Sequence, residues 1–154
     1  QERGYRAGTE NVVGIVGFGA AAQLAHEHMD DWQRVAQLRD RFEVRIRDAF
    51  GEEVQIFGRD VPRIPNTCCI ARTGIDAEVQ VIALDLAGIA ISAGSACSSG
   101  KVESSHVLAA MGVSVPVART AIRVSLGPST KAADMDRFFA AYKALKKSGV
   151  AHAA

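Results

Sequence analysis

Apolar positions fall at two different spacings along this chain, and the places where the spacing changes mark its elements. From Asn11 the run NVVGIVGFGAAAQLAHEHM is small and apolar at most positions, which predicts a helix buried on most sides. Thr9, directly after Gly8, is its candidate N-cap. The stretch DDWQRVAQLRDRFEVRIRDAF sets Val35, Leu38, Phe42 and Ile46 on one face of a second helix that stops at Gly51. The pattern then shifts to EVQIFG, NTCCIA, GIAISAG and TAIRVSLG, short runs rich in β-branched residues that read as strands.

Helical spacing returns between the second and third strands, where GIDAEVQVIALDLAG places Ile75, Val79, Ile82 and Leu86 three or four apart, with acids in the first turn and Gly88 at the end. SSHVLAAMG predicts a short helix after the third strand. A last helix, starting near Ser129 or Thr130, turns Met135, Phe138, Phe139, Tyr142 and Leu145 inward and carries Lys143, Lys146 and Lys147 near its C-terminus. The pattern as a whole predicts a compact α+β domain from about residue 30 onward, preceded by a helix and loop that belong to something else. There are no repeats or low-complexity tracts.

Composition narrows the function classes. The 154 residues are 48% hydrophobic and 23% charged, enough for one core and a piece of a second. Eighteen basic against 17 acidic residues leave a net charge of +1, and no basic run precedes an aromatic platform. Nucleic acid and anionic membranes are therefore not indicated as partners, and a small substrate or a protein is. No run of about 18 apolar residues and no signal-peptide pattern occurs, so a cytoplasmic location is expected. The methionines are Met29, Met111 and Met135, so the chain is expected to be processed, truncated or part of a longer polypeptide.

The three cysteines, Cys68 and Cys69 adjacent and Cys97 remote, suit neither a disulfide framework nor zinc-ligand spacing, and reduced thiols are expected. Cys68 and Cys69 point to opposite faces of a strand, so one at most faces the core, and both read as structural. GIVGFGAAA lacks the preceding strand, glycine order and later acid of a dinucleotide loop; Gly14, Gly17 and Gly19 instead suggest close helix packing. His26, His28 and His106 read as surface or capping residues.

Three positions carry candidate chemistry. Cys97 lies in SAGSACSSG, a stretch of small residues with almost no apolar area to bury; Lys101 and the start of the next helix can lower its pKa, and a reactive thiol and an inert loop thiol both remain open. Arg123 alternates with Ile122 and Val124, so its guanidinium projects from the opposite face of a strand, where it suits a bidentate carboxylate or a structural ion pair. In RAGTEN, Gly8 and Thr9 stand just before a helix whose free N–H groups attract an anion, or simply cap it.

Taken together, RAGTEN, PNTCCI, SAGSACSSG followed by KVESSHVLAAMG, and AIRVSLGPST resemble the C-terminal part of cysteine desulfurases of the NifS/IscS type, pyridoxal-phosphate enzymes of the class V aminotransferase family. The resemblance implies the α/β architecture of a fold-type I pyridoxal-phosphate-dependent transferase. Residues 1–28 would end the large domain, and residues 29–154 would form the C-terminal small domain, a short, mostly antiparallel sheet covered by helices. It also implies roles. Cys97 takes the place of the persulfide-forming nucleophile, with transient ligation of an iron-sulfur cluster as a further role. Arg123 matches the arginine that binds the carboxylate of substrate L-cysteine, and Thr9 matches a residue that contacts the cofactor phosphate across a homodimer interface.

The family's Schiff-base lysine sits in a histidine-lysine motif that none of Lys101, Lys131, Lys143, Lys146 or Lys147 reproduces, so this chain alone is expected to be inactive. The complete enzyme implied would use pyridoxal phosphate as electron sink, release L-alanine and pass sulfur from Cys97 to an acceptor or scaffold protein. A cofactor-free persulfide carrier and an inactive fragment are the alternatives.

Overall fold

The computed structural model describes residues 8–94 and 105–146. Among these residues six α-helices and four strands run in the order α1 (Val12–Glu27), α2 (Asp31–Phe50), β1 (Val54–Phe57), β2 (Thr67–Arg72), α3 (Ala77–Leu86), β3 (Ser92–Ala93), α4 (His106–Ala110), α5 (Val115–Ala118), β4 (Ala121–Ser125) and α6 (Ala132–Ala144), with a 3-10 turn at Gly51–Glu53 between α2 and β1. The strands form one sheet in the order β1-β2-β4-β3 with every pairing antiparallel. β4 enters between strands that precede it in sequence, so the last described strand is hydrogen-bonded along both edges.

Alternation along the strands sorts side chains to two faces. Val54 and Ile56, Cys68 and Ile70, and Ile122 and Val124 form one face; α2, α3 and α6 cover it with Val35, Phe42, Ile46, Leu84, Met135, Phe138 and Tyr142. Aromatic rings interlock there: Phe42 meets Phe138 edge-on at 5.1 Å, and Phe138 stacks on Tyr142 at 5.4 Å. Arg72, at the end of β2, is buried in this layer. Its guanidinium lies 4.1 Å above the Phe50 ring and donates to the Tyr142 carbonyl at 2.9 Å, so the charge is held by a π face and a carbonyl dipole.

Several helix expectations need correction. α1 buries none of its residues: Val13, Phe18 and Val16 are 85%, 78% and 65% exposed, because no described element packs against it. A Cβ built on Gly17 or Gly19 meets nothing within 4 Å, so these glycines serve no close helix contact among the described residues. Its N-cap is Asn11 rather than Thr9, since the Asn11 side chain accepts from the Gly14 N–H at 3.0 Å. α6 begins at Ala132, two or three residues later than the sequence suggests. Thr130 Oγ1 is engaged by the Gly127 N–H at 2.9 Å, and the Lys131 N–H donates to Asp134 at 2.8 Å.

The largest difference is the face of α3. Ile75 is buried, but Val79, Ile82 and Leu86 are 44%, 62% and 85% exposed, while Ala77, Gln80 and Leu84 point inward. A buried glutamine selects this rotation. Gln80 Nε2 donates to the Ile75 carbonyl at 2.7 Å and to the Thr120 carbonyl at 2.8 Å, which ties the helix start to the residue before β4. Gly88 ends the helix as expected, at φ +70°, and the Ile89 N–H returns to the Leu84 carbonyl.

Candidate functional site

The second face of the sheet carries one row of side chains across all four strands. Phe57 on β1 opposes Cys69 on β2, Cys69 opposes Arg123 on β4, and Arg123 opposes Ser92 on β3. The neighbouring row holds Ala71 and Ala121, and α4 and α5 cover it with Leu108 and Ala118, joined by Val113 and Val117. The small helices therefore roof half of this face. Arg123 stays exposed at the open half while Ile122 and Val124 on either side are buried. A guanidinium held on a rigid central strand, with a thiol on one side and a hydroxyl on the other, is preorganised for an incoming carboxylate.

Cys69 is half-buried and its thiol pKa is raised, chiefly because burial penalises the thiolate; the nearby Arg123 charge pulls the other way. Cys68 lies on the opposite face, fully buried, and its pKa is raised further by burial and by the adjacent Glu43 carboxylate. Both cysteines are thus protonated at neutral pH, as structural thiols should be. The exposed positions of His26, His28 and His106 agree with their reading as surface residues, and His28 meets Asp31 at 3.1 Å.

Of the three residues singled out in the sequence, Arg123 is the one this sheet face contains. Thr9 is exposed, two residues before the Asn11 cap of α1 and directly after Gly8 at φ +108°. Cys97 and Lys101 lie outside the described residues. The chain leaves the sheet toward Cys97 along β3: Ser92 pairs with Arg123, Ala93 pairs with Ile122, and the Gly94 N–H donates to the Ala121 carbonyl at 2.8 Å. The described chain resumes at Ser105, whose side chain caps α4 by accepting from the Leu108 N–H at 3.4 Å. Sequence reading missed Cys69 and Ser92 as neighbours of Arg123. Their outward alternation was visible, but the register that lines them up is a tertiary property.

Residues 1–138 match the aminotransferase class-V family. The chain belongs to that family. Among curated members, it is 47% identical over 138 residues to a cysteine desulfurase of Gluconacetobacter diazotrophicus, covering 89% of this chain and 34% of that protein. It is 47% identical over 137 residues to a cysteine desulfurase of Cereibacter sphaeroides, covering 89% and 35%. The structure is similar to that of a NifS-like protein from Rickettsia africae, with a TM-score of 0.79 and 33% identity over 93% of this chain and 37% of that one. This class-V aminotransferase chain spans about a third of the length of the curated relatives it matches. Its four-stranded antiparallel sheet with helices is the architecture of part of a NifS-like protein. No helix among the described residues is long and apolar enough to cross a membrane.

Proposed function

We propose that this chain is the C-terminal part of a cysteine desulfurase, in which residues 1–28 finish the large domain and residues 29–154 form the small domain. The whole enzyme takes sulfur from L-cysteine, releases L-alanine and holds the sulfur as a persulfide on Cys97. The observation that carries this reading is the pairing of Ser92 with Arg123. The strand that leads to Cys97 is hydrogen-bonded to the strand that presents the exposed guanidinium. Cys97 follows Gly94 by three residues, a tether of at most about 11 Å at the usual Cα spacing. A substrate held by its carboxylate at Arg123 is therefore within covalent reach of the nucleophile's loop.

The residues present fit part of a pyridoxal phosphate site. Thr9 and the positive end of the 16-residue α1 suit the phosphate, and Arg123 suits the substrate carboxylate. The lysine that would bond the cofactor has no counterpart in motif here, so the cofactor is held mainly by residues outside this chain. When bound, it supplies an electron sink that loosens bonds at the substrate's α-carbon. Arg123 orients the amino acid, and the Cys97 thiolate would attack its sulfur: the S–S bond forms as the substrate's Cβ–S bond breaks, and the electron pair leaves with the three-carbon remainder, which takes up protons and is released as L-alanine. The small side chains around Cys97 let one loop serve both the substrate and a sulfur-acceptor or scaffold protein.

The exposed apolar residues of α1 and their lack of a described partner support the domain division and a homodimer that covers this helix. The acceptor would serve iron-sulfur cluster or other thio-cofactor assembly, with Cys97 a transient cluster ligand, and the location would be cytoplasmic. The test is alanine release from L-cysteine with pyridoxal phosphate. The isolated chain is expected to release none, and the chain joined to the upstream two-thirds typical of its relatives is expected to release alanine and carry persulfide. Alanine from the isolated chain, or persulfide in a full-length Cys97→Ala variant, would overturn the reading.

A further inference from the structure

We propose that a cleft lined by arginines, between α2 and the β1–β2 connection, docks an acidic segment of a partner protein that carries apolar residues beside its carboxylates. The cleft measures about 480 Å³ and lies beside α2, which packs on the sheet face opposite to Arg123. Four guanidinium groups line it, those of Arg39, Arg47, Arg59 and Arg63, against the two carboxylates of Asp40 and Glu43.

Each carboxylate already holds one of these guanidinium groups through one oxygen. Glu43 binds Arg63 at 2.6 Å, which fixes the β1–β2 connection to α2. Asp40 binds Arg39 at 2.9 and 2.7 Å, and Arg39 also donates to the Ile64 carbonyl at 3.0 Å. Two cations remain. The Arg47 side chain is exposed and makes no hydrogen bond or ion pair among the described residues; that of Arg59 only approaches, at 3.7 Å, the almost fully exposed Asp60. Two under-compensated forks facing one concavity, in a chain of net charge +1, focus positive potential there.

The walls and rim decide between a free anion and a protein. Val44, Val61 and Pro62 line the same cleft, and Val44, Val61 and the adjoining Ile64 are 47%, 61% and 66% exposed. A small free anion gains nothing by covering these side chains. A segment that places a carboxylate on Arg47 or Arg59 and a leucine-like side chain on the rim gains both charge-assisted hydrogen bonds and apolar burial, the usual make-up of an interface centre.

The test uses the full-length protein and a fluorescein-labelled Leu-Glu-Glu-Leu-Asp-Glu peptide, read by anisotropy at low salt. Binding is expected, with at least a tenfold loss in the Arg47→Glu/Arg59→Glu double variant, a smaller loss in Arg47→Gln/Arg59→Gln, and no change in the charge-matched control Lys143→Glu/Lys146→Glu, whose two lysines are exposed. The amide peptide Leu-Gln-Gln-Leu-Asn-Gln is expected not to bind. Equal binding by the double variants, absence of binding by the acidic peptide, or equal displacement by Gly-Glu-Glu-Gly-Asp-Glu or by inorganic phosphate would overturn the proposal, the last two in favour of a simple anion site. All of these outcomes are independent of desulfurase activity.

Discussion

Cys69 and Arg123 are cross-strand partners on β2 and β4 at the margin of the roofed sheet face: Cys69 packs against the cluster under α4 and α5, and Arg123 stands exposed beside it. The pair puts a protonated thiol beside a permanent cation. The cation is exposed, so its role is sought in what it binds rather than in what it packs against.

Replacing Arg123 should therefore affect substrate use and leave the fold intact. A charge-assisted hydrogen bond contributes about 1.5–3 kcal/mol, or roughly ten- to a hundredfold in binding. Full-length Arg123→Ala is expected to lose that factor or more in kcat/KM for L-cysteine, largely through KM, with its melting temperature unchanged. Arg123→Lys should recover only part, because an ammonium lacks the planar fork. Steady-state alanine release across L-cysteine concentrations checks this.

The thiols make a second, pH-dependent prediction. Cys68 and Cys69 both have folded-state pKa values raised, chiefly by burial. In the unfolded chain, thiols lose protons near about pH 8.5, so above that pH the unfolded state binds fewer protons than the folded one. The stability is fully present below this point and falls as pH rises toward the folded values. Thermal melts between pH 7 and 10 should show that decline, and Cys68→Ala should flatten it. Under native conditions iodoacetamide should spare Cys68, and Arg123→Ala should slow the modification of Cys69 by removing the charge that favours its thiolate.

How much of this was legible in the sequence depends on whether the signal is local. The alternation of Ile122, Arg123 and Val124 gave the orientation of the arginine, and Gly51 and Gly88 marked helix ends correctly, because periodicity and φ preference act within a few residues. The rotation of α3 was not legible. Val79, Ile82 and Leu86 make the more apolar stripe, yet Gln80 is inside, since the carbonyls of Ile75 and Thr120 need its amide and Thr120 is 40 residues away. The apolar character of α1 was read correctly and its burial was not, because burial depends on a neighbour that the described chain does not supply. At the site, local pattern singled out Arg123, Thr9 and Cys97 alike, and the resemblance supplied their expected roles. The alignment of Phe57, Cys69, Arg123 and Ser92 required the register.

Gly94 is the point where β3 is clamped to β4 before the chain runs on to Cys97. A Cβ there would lie 3.0 Å from the Ala121 carbonyl oxygen and 3.1 Å from the Ala121 Cβ, and backbone in mid-sheet cannot yield as a flexible side chain would. Gly94→Ala is expected to cost about 1–3 kcal/mol, the usual penalty of overpacking, with Gly94→Val worse. For a chain of this size each kcal/mol lowers the melting temperature by about 2–4 °C. If the strand guides the nucleophile's loop, persulfide formation in the full-length variant should fall even at temperatures where it stays folded.

Gln80 tests whether the polar tie between α3 and the start of β4 is what holds the helix in its rotation. Its amide gives both hydrogens to main-chain carbonyls in a fully buried setting. Gln80→Leu keeps the volume and removes both donors, leaving the Ile75 and Thr120 carbonyls without them, at about 1–3 kcal/mol for each unsatisfied group. Gln80→Ala adds a cavity to the same loss and should be worse. The leucine variant has a second way out: α3 can turn Val79 and Ile82 inward, which would recover apolar burial and detach the helix from Thr120. Hydrogen exchange separates the outcomes. Faster exchange at the Ala77 N–H, which donates to the Arg119 carbonyl at 2.9 Å, is expected if Gln80 sets the rotation, and unchanged exchange there with only a lowered melting temperature would show that packing alone sets it.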